Sequence, residues 1–193
     1  MTNSNTKAKD RITGRPEWEN PLPVKSMKKH FLYYGRGMRE NCDKFQVAYL
    51  SYVSHTFGTN VATSIEKNTL VMEVDEPADV GTAEDFKKLS HLKQRQWEAQ
   101  FNEHREEAKL VGRDLGKCYG TLIKLCHVTM MNKLKADPDY QKLINPDPDD
   151  DEEKPLNKCG ELFCIIKSIC SGGGATHNAF KTFFKSMFNL LLS

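Results

Sequence analysis

The 193 residues include 28 basic and 26 acidic side chains, a formal net charge of +2, too near neutrality for the whole molecule to act as a polycation toward nucleic acid. A hydrophobic content of 38% suffices for one domain with a real core or two small ones, and no apolar run is long enough to cross a bilayer. The polar first thirty residues hold no signal-peptide core, and the six cysteines fall mostly on apolar helical faces, which predicts free thiols in a reducing, cytoplasmic setting.

Residues 1–25 are polar, proline-punctuated and aperiodic, and are expected to form a flexible basic tail. Lys7, Lys9, Arg11, Arg15 and Lys25, with Lys28 and Lys29 just beyond, are the candidates for weak, non-specific RNA contact. Residues 26–75 form an N-terminal helical subdomain with short extended segments. His30 to Tyr34 reads as a brief extended run before a Gly35-Arg36-Gly37 turn, which is no phosphate loop because no Lys-Ser/Thr or helix start follows. Phe45, Ala48, Tyr49, Tyr52, Val53 and Phe57 have helical spacing up to a stop at Gly58, and Asn60–Glu66 adds further turns. Thr69 to Val74 is β-prone, with His30–Tyr34 as its one candidate partner. Residues 76–83 are a linker, and Thr82 with Asp85 predicts a helix-capping box.

The main helical domain spans residues 84–193. Its apolar residues recur at steps of three and four through Trp97, Phe101, Leu115, Tyr119, Leu122, Ile123, Cys126 and Leu134, which are the expected core. Gly112, Gly116 and Gly120 each cost roughly 1 kcal/mol against alanine in a helix. They suggest two long helices, about 84–114 and 116–136, joined by a bend or close crossing, with the rest of the chain packed on that pair. An acidic loop at 145–155 follows, then a helix over Asn157–Cys170 and a last helix over Thr176–Leu192. The fold class is therefore mainly α, a bundle of about five to six helices around two long central ones. The last helix carries more apolar residues than one stripe can bury, making Phe184, Phe188, Leu190 and Leu192 the candidate self-association contacts.

Sites of chemistry are not evident. Cys159, Cys164, Cys170 and His177 are spaced C-x4-C-x5-C-x6-H, without the close pair from which a zinc site is built. Asp147 to Glu153 lacks the glycine turn and closing glutamate of a calcium loop. Cys126 and His127, adjacent on one predicted helix, point apart, and His104 among Glu103, Arg105, Glu106 and Glu107 reads as a solvated face. No Ser-His-Asp order, paired-carboxylate signature or Walker sequence stands out. The expectation is a chain that is no enzyme, has no metal or other cofactor, and takes no small-molecule substrate.

Four segments in order carry a family resemblance: DKFQVAYLSYVSHTFGTNVATSIEKN at 43–68, WEAQFNEHREEAKLVGRDLGKCYGTLIKLCHVTMMNKLKADPDY at 97–140, ELFCIIKSICSG at 161–172 and THNAFKTFF at 176–184. Over roughly residues 26–188 the chain resembles the gag-like (capsid) protein of copia-like LTR retrotransposons of the diatom and algal type. The resemblance implies a non-catalytic structural protein that self-assembles into a homo-oligomer and helps package element RNA. The family's C-x2-C-x4-H-x4-C zinc knuckle is missing, as expected of a truncated copy, and Gly172-Gly173-Gly174 replaces a polar, aromatic stretch. The alternative is a non-catalytic α-helical interaction module unrelated to particle assembly.

Overall fold

A computed structural model describes Val24, Met27, residues 30–146 and residues 157–172. It is mainly α, with seven helices and no strand among the described residues: α1 (Met38–Phe57), α2 (Thr59–Lys67), α3 (Ala83–Lys88), α4 (His91–Lys124), α5 (Val128–Lys135), α6 (Pro138–Ile144) and α7 (Lys158–Cys170).

The architectural centre is α7, and not a pair of long helices. Eight of its thirteen residues are buried, Leu162, Phe163, Ile165, Ile166 and Ile169 among them, and it touches α1, α2, α4 and α6. A short helix apolar on nearly every side is stable only when neighbours surround it. Its N-terminus is fastened by Asn157, which accepts from Gly160 N at 2.8 Å and donates from Nδ2 to the Ser64 carbonyl at 2.6 Å. At Gly160 a Cβ would sit 2.9 Å from Asn68 Cα and 2.7 Å from Asn157 Nδ2, so only glycine permits this approach of α7 to the end of α2.

Helix α1 buries Cys42, Phe45, Tyr49 and Val53 at steps of three and four. Gly58, at φ 106°, ends it and starts α2, which buries Val61, Ala62, Ser64 and Ile65. One hydrophobic core joins the apolar members of these sets to Val111, Leu115, Leu122 and the inner face of α7, so α1 and α2 share their interior with α4 and α7.

The central stretch differs from the two-helix expectation. Helix α4 runs unbroken for 34 residues through Gly112, Gly116 and Gly120. None of the three has positive φ, and a Cβ on any of them would meet nothing within 4 Å. They mark neither a bend nor a crossing; packing of the C-terminal half of α4 against α7 and α2 overrides their low propensity. The actual breaks lie elsewhere. Leu89 and Ser90 separate α3 from α4, and Leu125–His127 separate α4 from α5. At the second break Leu32 N donates to Leu125 O (2.9 Å) and His127 N donates to Leu32 O (2.7 Å). The extended run at 30–34 therefore pairs with Cys126 as an isolated parallel bridge, and not with 69–74. Cys126 and His127 thus sit between helices, not on one.

Residues 69–82 instead form a strap along α4. Val71 N is held by Ser64 Oγ at 2.9 Å, and Glu73 N and Val74 N donate to the Glu107 carboxylate at 2.7 and 2.8 Å. The strap ends in the capping box of Thr82 and Asp85 that starts α3.

Candidate interaction surface

The described residues hold no group of three or more His, Cys, Asp or Glu side chains placed to bind a metal ion. Their six cysteines are all free; five are buried and Cys164 is exposed. Burial pushes the thiols of Cys118, Cys126 and Cys159 up to about 12, which keeps them protonated and poorly nucleophilic near neutrality. Between α1 and α7, a hydrogen bond joining the Cys42 and Cys170 thiols lowers the first and raises the second. No described helix is long and apolar enough to cross a membrane.

The feature that stands apart from the core is the N-terminal half of α4. Its buried residues are Val111, Leu115, Cys118 and Leu122; from His91 to Leu110 none is buried. Those twenty residues make an arm roughly 30 Å long. The strap lines one side of it. Glu107 anchors the strap's base: desolvation works against its charge, but the N–H groups of Glu73 and Val74 and the amide of Asn60 outweigh that and hold its carboxyl below the usual range. Farther out, the Trp97 indole donates to Ala78 O at 2.9 Å.

An aromatic cluster caps the arm. Phe86 meets Trp97 edge-on (centroids 5.4 Å apart, 66°), and Trp97 stacks on Phe101 (5.0 Å, 11°). Trp97 is half-buried and Phe101 is 42% exposed. A shallow groove beside Trp97 is lined by Val80, Lys93, Gln96 and Gln100, and Lys93 is its one titratable side chain.

The sequence-predicted core residues divide accordingly. Leu115, Leu122, Cys126 and Leu134 are buried, while Tyr119 and Ile123 are half-buried against the core. Trp97 and Phe101 lie outside it, a correction to the expected core. The cause is length: α7 has thirteen residues and cannot cover a 34-residue helix. Periodicity shows which face of a helix is apolar, not where its partner stops.

Along that face Trp97, Phe101, His104, Ala108, Val111, Leu115, Cys118 and Leu122 follow one another at alternating steps of four and three, the spacing of a helix-pairing seam. The last four are buried in the chain's own core, and the first four continue the seam beyond it, with Phe101 exposed and Trp97, His104 and Ala108 half-buried. His104 is a member of this seam and half-buried, not a solvated position among charges. Its strict spacing from Phe101 and Ala108 was the available signal. Gln100 and Glu107 flank the seam on the strap side; Glu98 and Arg105, both exposed, flank it on the other.

Phe184, Phe188, Leu190 and Leu192 lie outside the described residues. So do Lys7, Lys9, Arg11, Arg15, Lys25, Lys28, Lys29 and the acidic run at 147–153. No family model matches this chain, and neither a curated protein nor a solved structure matches it significantly.

Proposed function

We propose that this chain is a non-catalytic structural protein that works by self-association, in the manner of the gag-like capsid proteins of copia-like LTR retrotransposons that its segments resemble. The observation that carries self-association is the partly exposed continuation of the α4 seam, with its Trp97–Phe101 stack, beyond the end of the chain's own core. The particle-forming form of that activity rests on the order of the four resembling segments. In this reading the partner is a second copy of the chain, and the basic residues Lys7 to Lys29 give weak, sequence-independent contact to packaged RNA. Five buried free thiols suit the reducing interior of a cell, where such particles would assemble in the cytoplasm.

Negative-stain electron microscopy and RNA co-sedimentation of the purified chain test the particle. Closed or extended assemblies that carry RNA released by salt are the expected result. A chain that stops at a dimer and carries no RNA would leave the interaction-module reading in its place.

A further inference from the structure

We propose that two copies of the chain pair antiparallel through the exposed half of α4, with the two-fold axis passing between Asn102 and Glu103. This rests on the self-association reading above and adds the surface, the direction and the register.

Three observations fix the geometry. The two flanks of the seam differ, because the strap runs along the flank of Gln100 and Glu107, anchored at Glu107 and Trp97, with Gln100 itself still exposed. An antiparallel pair sets strap-free flank against strap-free flank, whereas a parallel pair must set each strap-free flank against a strap-lined one. The charges on the strap-free flank are complementary when the two copies run antiparallel. With the axis so placed, Glu98 lies within two residues, about 3 Å of helix rise, of the level of Arg105 of the second copy, and symmetry repeats the pair. Neither Glu98 nor Arg105 forms a salt bridge among the described residues, although Arg105 acts at a distance on Glu106. Finally, the seam residues fit in size. Trp97 falls opposite Ala108, and Phe101 opposite His104, so large meets small and aromatic meets imidazole; a parallel pair would put Trp97 against Trp97 in one layer.

The arm's own electrostatics lean the same way. A helix N-terminus favours acidic side chains, yet the first turn of α4 has none, and Lys93 and Arg95 occupy its start. Antiparallel pairing brings the Glu98–Glu107 half of the second copy, with Glu103 and Glu106, toward that basic end.

Sedimentation equilibrium of the full chain and of three variants tests this: Glu98→Arg, Arg105→Glu, and the double swap. Both positions are exposed, and circular dichroism checks that each variant is folded as the parent. The overlap from Trp97 to Ala108 is short, so a dissociation constant on the order of tens of micromolar is expected. Each single variant should weaken pairing about tenfold by replacing two attractions with two repulsions, and the double swap should restore it. A dimer indifferent to all three variants would overturn this interface while leaving self-association through another surface. Weakening by both singles without rescue by the swap would overturn the antiparallel register. A wild-type chain monomeric throughout the range would overturn both the pairing and the self-association it rests on.

Discussion

The hydroxyl of Tyr49 donates to the backbone carbonyl of Cys118 at 2.7 Å, joining α1 to α4 at the level where both pack on α7. Its ring lies between those of Phe45 (5.6 Å) and Phe163 (6.1 Å), so one fully buried side chain links three helices. Tyr49→Phe keeps the stack and removes the hydrogen bond. The expected loss is about 1 kcal/mol, up to about 3 if the carbonyl is left poorly satisfied. Urea denaturation followed by circular dichroism measures it, and no loss at all would mean that the stack alone holds the junction.

Stability should also decline in alkali. Burial raises Cys118, Cys126 and Cys159 from the ordinary value of 9.0 to about 12, and raises Tyr49 well above 10.0. The folded chain keeps protons there that the unfolded chain gives up. The contribution of these groups to stability is therefore level below about pH 9 and is lost progressively as pH rises toward 12. Denaturation midpoints across that range under reducing conditions should trace the fall; a flat profile to pH 11 would contradict the burial of these thiols.

Glycines separate into two kinds. Alanine at Gly112, Gly116 or Gly120 meets nothing within 4 Å, and each substitution should stabilise the chain by about 0.5–1 kcal/mol. Alanine at Gly160 would press on Asn68 Cα and Asn157 Nδ2 and should cost about 1–3 kcal/mol. Thermal melts of the four variants should move in opposite directions. A destabilised Gly116→Ala would restore the idea that the mid-helix glycines serve a close crossing.

How far the chain could be read beforehand depended on the kind of information each element carries. Local signals were legible: the Gly58 stop, the Thr82–Asp85 box and the helix over Asn157–Cys170 all rest on patterns within a few residues. The centre of the fold was not legible. The length of α4 drew attention to it, but burial follows from neighbours, and α7 acquires four of them only in three dimensions. The break at Leu125–His127 was hidden for the same reason, since it depends on Leu32, some ninety residues earlier. Of the candidate interaction surface, Trp97 and Phe101 were visible as stripe residues, while their exposure depended on where α7 ends.

The two halves of α4 should therefore respond differently to truncation. Leu122→Ala removes a fully buried side chain and should cost about 2–5 kcal/mol. Phe101→Ala, on the exposed half, should cost under about 1 kcal/mol. Equal losses at the two sites, measured by urea denaturation at low protein concentration, would place Phe101 back in the core.

The most direct test is light scattering of the wild-type chain and of Phe101→Asp over a concentration series reaching a few hundred micromolar. The expected result is a wild-type mass that rises above that of one chain while Phe101→Asp, folded and equally stable, remains monomeric. A wild-type chain that stays monomeric across the series, or a Phe101→Asp chain that associates just as strongly, would contradict self-association through the exposed half of α4.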